Sequence, residues 1–586
     1  MKPSNSKPKR RSCDACHQRK IHCDSISASQ CDWCKHQGLL CTFNRPFGRR
    51  KRSRGIGPMS RAQQDLDPSI PGLAEIGLIE FPINREIQTM PYLGLGGFYF
   101  NGVHLGGISS NQGIPFFSGQ GEEWIYAHAG SKPTSSPSCP VNAPTQVKGT
   151  WELPARAVVD TYLSNFTTST KRYVFPIIDE ASFPDVIEKA YNGNPDLTDV
   201  ICAKACILAF TCIGVHMDGQ LDLHPVQADQ CAARAYRMMP VILANPCSES
   251  IQVCTMLCMY NIFAGNVAAA ATYLAVAYRF ASMLGAHLSP LSMDCTPTTG
   301  SVYSSQHYLR RVFWHCYMYD KDICMRAGYP PIIDDDHCDL SLPPGYKQID
   351  DFDRFKDGTD LIPGDMRLTI IKSNMIRGLY CAKAFRTSEV ELLKHIRELD
   401  DELETWRMSV APQYRPNLAS HYRMRLDPDW NKSKLCHVLV IHYEYYFLLA
   451  LIHSASGRCR IPTSGGEVDH RASVNSCQCL ALQASRATLA NLPVVSQVLN
   501  SGDFWYFIQY PMSATLTIFC NILTSPLNSR AEEDLELLQR VPRLIRDMCA
   551  PNLGPGDTLR IRQVEQFVEE LLRLGRSAVH KATVGG

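Results

Sequence analysis

CDACHQRKIHC (residues 13–23) and CDWCKHQGLLC (residues 31–41) repeat one pattern, C-x2-C-x6-C, within the first 41 residues of a 586-residue chain. Two tetrahedral zinc ions need eight sulfur positions. Six cysteines supply eight only when two thiolates each bridge both metals, and a duplicated unit suits that geometry. Cys13, Cys16, Cys23, Cys31, Cys34 and Cys41 are therefore read as the ligands of two zinc ions. A disulfide knot would suit a short secreted domain. This chain is long, shows no secretory apolar run near Met1, and scatters its other 19 cysteines through apolar segments, as in a reducing compartment. A redox CxxC would sit beside a βαβ pattern, which the surrounding sequence lacks.

The charge layout points to nucleic acid. The whole chain has a formal charge of only +2, yet residues 1–54 hold 14 Lys/Arg against three acids, a net +11. The remainder carries −9. A cationic head on a near-neutral protein is what backbone binding through counterion release requires. The first half-motif places Arg19 and Lys20 between its cysteines, whereas the second has only Lys35 and ends in Gly38-Leu39-Leu40. The first half is thus the better base reader and the second the better packing surface. The flanking runs, with Lys9, Arg10 and Arg11 on one side and Arg49, Arg50 and Lys51 on the other, suit phosphate clamping and nuclear import. A solvated tail is the ordinary fate of such runs, but here they border a metal-folded module.

On these cysteines the chain resembles the fungal binuclear zinc cluster (Zn2Cys6) transcription factors. The resemblance implies that Cys13 and Cys31 bridge the metals and that a short helix after Cys13 enters the major groove. It also implies that the basic run 17–22 reads bases, commonly a CGG triplet, with Lys20 on the usual base-contacting lysine. Two departures stand out. His22 occupies a position often held by lysine, and a neutral imidazole is a weaker phosphate partner. The loop 24–30 lacks the proline commonly found before the fourth cysteine.

The segment 55–150 is rich in Gly, Pro and Ser and is read as a largely irregular linker. Met59, Leu66 and Leu73 are spaced as a heptad seam, but Pro68, Pro71 and Gly72 break any helix there, so a zipper at 55–75 is rejected. The protein then binds a half-site as a monomer or forms a homodimer through its large C-terminal part. Asn101-Gly102 between apolar runs predicts a β-hairpin, with Phe116, Phe117 and Trp124 folding back onto the main body. Gly94-Leu95-Gly96-Gly97 lacks the third glycine and the helix of a nucleotide loop.

Residues 151–576 read as an all-helical regulatory domain and 577–586 as a frayed tail, giving a mainly α fold class. Val267, Ala270, Leu274, Ala277, Ala281 and Leu284 form an apolar stripe stopped by Gly285. Ser388 to Glu391 offers a capping box before Leu392, Ile396, Leu399, Leu403 and Trp406, and another apolar run spans Leu435 to Ile452. No run reaches ~20 uninterrupted apolar residues, so no membrane span is expected. Leu309 to Trp314, Tyr319-Asp320-Lys321, Gly328 to Asp336 and Cys338 to Pro343 resemble the middle homology region of fungal zinc cluster regulators, as does Arg279 to Gly285.

Asp334, Asp335, Asp336 and His337 are read as a polar loop with one capping carboxylate rather than a metal site, because consecutive residues point different ways. The i, i+4 pairs Cys202/Cys206 and Cys254/Cys258 are read as core. No GxSxG, HExxH or P-loop occurs, and no enzyme is expected. The leading expectation is a nuclear, sequence-specific regulator of RNA polymerase II promoters, and the resemblance suggests a pathway-specific role in metabolism. Its expected partners are double-stranded DNA, transcription machinery or co-regulators, and a small-molecule effector. The alternative is a partner-dependent regulator whose cluster binds DNA weakly on its own.

Overall fold

The computed structural model describes Cys16, Cys23, Cys31, Cys34 and Lys35, then residues 97–100, 103–108, 114–134, 152–168, 175–195, 197–217, 225–288 and 300–342. It continues through 364–419, residues 424, 427 and 430, and 432–459, 468–499, 504–547 and 555–585. The chain divides into two compact units, residues 1–79 and 80–586. The zipper-like spacing at 55–75 lies outside the described residues.

The second unit opens with a small antiparallel sheet, β1 (Gly97–Phe100), β2 (Val103–Gly107) and β3 (Phe116–Phe117), in the order β1-β2-β3. Phe100 pairs with Val103, so the strands close on either side of Asn101-Gly102 as that dipeptide predicts. The register shifts between Phe98 and Tyr99. This sheet and the helix that follows are ordered elements within the stretch 55–150 that reads from the sequence as a largely irregular linker. Helix α1 (Gly119–Ala129) begins at Ser118, whose side chain accepts from the Gly121 N–H. Its sequence opens Gly-Gln-Gly and spans only three turns, too short for a clear periodic signal. Tertiary packing decides it: Leu105, Ile125 and Ala129 are buried in a hydrophobic core, and the Phe117 and Phe567 rings lie 4.8 Å apart.

Two cores follow. The first is built from α2 (Arg156–Thr168), α3 (Phe183–Asn192), α4 (Thr198–Met217), α5 (Pro225–Ala244), α6 (Ser248–Phe263), α7 (Val267–Met283) and most of α8 (Gly300–Ala327). The second takes α1, the end of α8, α9 (Met366–Met375), α10 (Glu389–Ser409), α11 (Lys432–Ser454), α12 (Val468–Ala490), α13 (Leu492–Val498), α14 (Phe504–Phe507), α15 (Gln509–Thr524), α16 (Ala531–Asp547) and α17 (Pro555–Gly585). Helix α8 joins them: Trp314 and Tyr317 lie in the first core, Cys324 and Met325 in the second.

Local chemistry explains the elements. In α7 the stripe Val267, Ala270, Leu274, Ala277 and Ala281 is buried as its spacing predicts, and Phe280 joins it. Leu284 falls outside the helix and is 45% exposed, and the chain turns at Gly285 with φ +79°. The capping box at Ser388/Glu391 forms, and Leu392, Ile396, Leu399, Leu403 and Trp406 are all buried. Thr198–Val215 and Lys434–Arg458 are long and apolar enough to cross a membrane by composition, but 72% of each is buried in the two cores. Residues 577–585 are not frayed. They continue α17, because Ser577 Oγ and Lys581 Nζ donate to the carbonyls of Ala129 and Ala127 and so tie the helix end to α1.

Candidate metal centre

Three of the four described thiols of the repeat converge. C-x2-C spacing sets Cys31 and Cys34 one helical turn apart. Lys35 N–H donates to Cys31 O at 2.9 Å, and Cys34 N–H donates to Cys31 Sγ at 3.4 Å. Cys16, from the first half-motif, brings its Sγ to 3.6 Å from Cys31 Sγ. That is too far for a disulfide of about 2.05 Å. It is close to the ~3.8 Å that separates two sulfurs on one tetrahedral zinc with Zn–S bonds of ~2.3 Å. The Sγ atoms of Cys16, Cys31 and Cys34 lie within 4.8 Å of one another and all three residues are buried. Cys23 is half-buried and stands outside this group. One sulfur, Cys31, thus touches ligands from both halves of the repeat. The soft, compact donor set fits zinc. Cys13 and Cys41 lie outside the described residues, as do Lys9, Arg10, Arg11, Arg19, Lys20, His22, Arg49, Arg50 and Lys51.

In the helical unit, the motif from Leu309 to Leu342 folds into a buried polar lock. Helix α8 ends at Gly328, φ +71°, whose N–H donates to Cys324 O. Asp320 accepts from the backbone N–H groups of Ile332 and Ile333 at 2.9 and 3.1 Å, while Lys321 Nζ donates to Ile333 O at 2.8 Å. Burial raises the Asp320 pKa, against the pull of Lys321 and those two N–H groups. Arg310, cation over the Phe313 and Trp314 rings, donates to the carbonyls of His287, Asp339 and Ser341. The Asp334–His337 segment takes the role of a capped polar turn. Asp334 accepts from Asp336 N–H, and Asp335 receives Tyr317 Oη and Ser373 Oγ and pairs with Lys321 Nζ at 3.6 Å. Asp336 and His337 face solvent. The carboxylates are spent on structure.

One buried charge cluster was not foreseen. Lys372 on α9, fully enclosed, donates to Asp322 on α8 at 2.8 Å and to Glu444 on α11. Burial opposes the lysine charge, but Asp322 and Glu444 outweigh it and hold Lys372 above the ordinary lysine value. The available signal was a lone glutamate inside HVLVIHYEYYFLLAL, since a charge in so apolar a run demands a partner. Cys202, Cys206, Cys254 and Cys258 are buried in the first core, as read. A cavity beside Trp505, Gln509, Arg326 and Met512 offers no nucleophile or base, and Arg326 already donates to the carbonyls of Trp505 and Tyr506.

Comparison with known proteins agrees with both motifs. Residues 11–50 match the fungal Zn(2)-Cys(6) binuclear cluster domain and residues 160–408 the fungal specific transcription factor domain. An ABC-transporter-regulating transcription factor of Aspergillus fumigatus is 27% identical over 70% of this chain and 46% of its own length. A protein of the same description from Aspergillus oryzae is 27% identical over 64% and 42%. An uncharacterized transcriptional regulatory protein of Schizosaccharomyces pombe is 22% identical over 98% of the chain and 78% of its own. The chain spans less than half the length of the two Aspergillus proteins. No solved structure matches it. A segment matching the Zn(2)-Cys(6) cluster followed by one matching the fungal specific transcription factor domain is the domain order along this chain, and the relatives it matches are described as transcription regulators.

Proposed function

We propose that the protein is a nuclear, sequence-specific regulator of RNA polymerase II promoters. Residues 1–54 form its DNA-binding module and the helical unit forms its regulatory body. Cys13, Cys16, Cys23, Cys31, Cys34 and Cys41 hold two zinc ions, with Cys13 and Cys31 bridging. The observation that carries this reading is the meeting of Cys16 with Cys31 and Cys34, sulfurs from both half-motifs, within 4.8 Å. Zinc supplies the cross-links that fold so short a segment. The chain's own residues do the recognition. Arg19 and Lys20 donate to base edges of a CGG-type half-site, and Lys9, Arg10, Arg11, Arg49, Arg50 and Lys51 neutralise flanking phosphates. His22 contributes an imidazole beside the third cysteine. The two Aspergillus relatives named for regulating ABC transporters make promoters of such genes the first natural targets to test, within a pathway-specific metabolic role.

The test is site selection from a random duplex library with zinc-loaded full-length protein and with residues 1–60. A shared CGG-type half-site is the expected result. A spaced pair selected only by the full chain assigns dimerisation to the helical body. No enrichment by either, despite bound zinc, overturns direct DNA reading. Lys20→Ala is expected to weaken the selected site by about 1–3 kcal/mol more than random DNA.

A further inference from the structure

We infer that Cys247 and Cys202 form an oxidisable dithiol, a modification site in which a small hydroperoxide converts the pair to a disulfide joining α4 to the start of α6. Cys247 is the N-cap of α6, in extended backbone (φ −137°, ψ 176°) and half-buried. Cys202 lies beneath it on the first turns of α4 and is 1% exposed. Ser250 Oγ, wholly buried, stands between them, 3.2 Å from Cys247 Sγ and 4.0 Å from Cys202 Sγ. The same hydroxyl donates to Asn245 O at 2.6 Å. One serine hydroxyl therefore brings the thiols of α4 and of the α6 N-cap to a common point.

The surroundings separate the two roles. Cys247 sits at the positive end of a 16-residue helix, with the Lys189 ammonium close enough to interact with it. Lys189 also pairs with Glu249 at 3.2 Å and Asp199 at 3.8 Å, and Glu249 opposes the thiolate. The net of these, led by the hydrogen bond from Cys202, draws the Cys247 thiol below its ordinary value, whereas Cys202 is driven well above it. The other buried thiols of this core, among them Cys206, Cys212, Cys254, Cys258 and Cys316, are all pushed up by burial. Cys247 is the thiolate-forming, solvent-reachable member and Cys202 the resolving one, the arrangement that makes a cysteine sensitive to oxidation.

The chemistry balances. Cys247 thiolate attacks one peroxide oxygen, the O–O bond breaks, and the leaving oxygen takes a proton to give water or an alcohol. Cys247 is then a sulfenic acid. Cys202 Sγ attacks that sulfur, its proton goes with the departing hydroxide as water, and the S–S bond forms. Two electrons pass from the dithiol to the hydroperoxide. The disulfide closes a loop containing all of α5 and pins the N-cap of α6 to α4.

Zinc-loaded full-length protein is treated with stoichiometric hydrogen peroxide, alkylated, digested and analysed by mass spectrometry. The expected product is an intramolecular Cys202–Cys247 peptide pair that dithiothreitol reverses. Cys202→Ser is expected to accumulate a Cys247 sulfenic acid captured by dimedone, and Cys247→Ser to leave Cys202 unmodified. Full alkylation of Cys247 at a dose that oxidises exposed Cys479 overturns the inference. So does oxidation confined to the first 41 residues, or Cys247 found only in disulfides between chains. The wild-type measurement stands whether or not either variant folds.

Discussion

Lys372 shows how much a single residue can hold in this protein. It faces two carboxylates, Asp322 and Glu444, in a site closed to water. One cation against two anions leaves an excess of negative charge, and burial pushes the Glu444 carboxyl up accordingly. Gly364, at φ +90°, lets backbone approach Glu444, since a Cβ there would come within 3.1 Å of Oε2. Lys372→Met is expected to destabilise the helical unit by about 3–5 kcal/mol in urea unfolding, because both carboxylates lose their counterion. Combining it with Glu444→Leu is expected to recover part of that loss. His453 gives a titratable case. Burial opposes its charge, but hydrogen bonds with Asp400, 3.2 Å away, and Cys477 outweigh it and raise the imidazole to about 9. A pKa raised above the unfolded value of 6.5 stabilises fully below pH 6.5 and loses that contribution as pH rises to 9. The stability gap between wild type and His453→Asn should therefore shrink between pH 6.5 and 9, by about 2 kcal/mol once the partly exposed Asp400 is allowed for. A constant gap across that range would mean the histidine is held neutral.

At the scale of elements, capping and close approach decide what forms. Helix α10 has both halves of its capping box and a buried stripe, so its sequence alone specifies it. Ser388→Ala is expected to cost about 1 kcal/mol, read as a lowered urea midpoint. Helix α1 is different. Ser118 caps it, bonding through its Oγ to His104 O at 2.6 Å, and its first turn lies directly on β2. A Cβ on Gly121 would fall 2.0 Å from Leu105 O, so only glycine permits that contact. Gly121→Ala is expected to lift α1 off the sheet and speed hydrogen exchange through 119–129, with α10 unaffected. Unchanged protection would show that the strand yields instead.

The whole molecule divides its stability between metal and core. The first unit brings Cys16, Cys31 and Cys34 together, whereas the second has two apolar cores. Chelating zinc is expected to unfold residues 1–54 and abolish DNA binding while the helical transition keeps its midpoint, as seen by calorimetry. A common shift of both transitions would reveal energetic coupling between the units. Removing residues 577–586 takes Ser577 and Lys581 from α1 and is expected to lower the midpoint of the helical unit, where a frayed tail would have left it alone.

Much was legible because it depends on spacing along the chain. Metal ligation needs thiols at fixed offsets, and C-x2-C sets Cys31 and Cys34 one turn apart wherever the rest of the chain goes. Helical periodicity fixed the buried faces of α7 and α10 in the same way, and Asn101-Gly102 located the hairpin. What the sequence left open depends on partners distant along the chain. Lys372 is ion-paired across 50 residues to Asp322 and across 72 to Glu444. The end of α17 is ordered by carbonyls about 450 residues earlier. Cys202, read from the sequence as a core residue, comes near Cys247 at Ser250 only once α4 and α6 are packed. Local sequence determined the metal module and most helices, since their energetics are short-range. The tertiary fold alone decided which buried charges are paired and which thiols meet, because burial and desolvation belong to the assembled core and not to any segment of it.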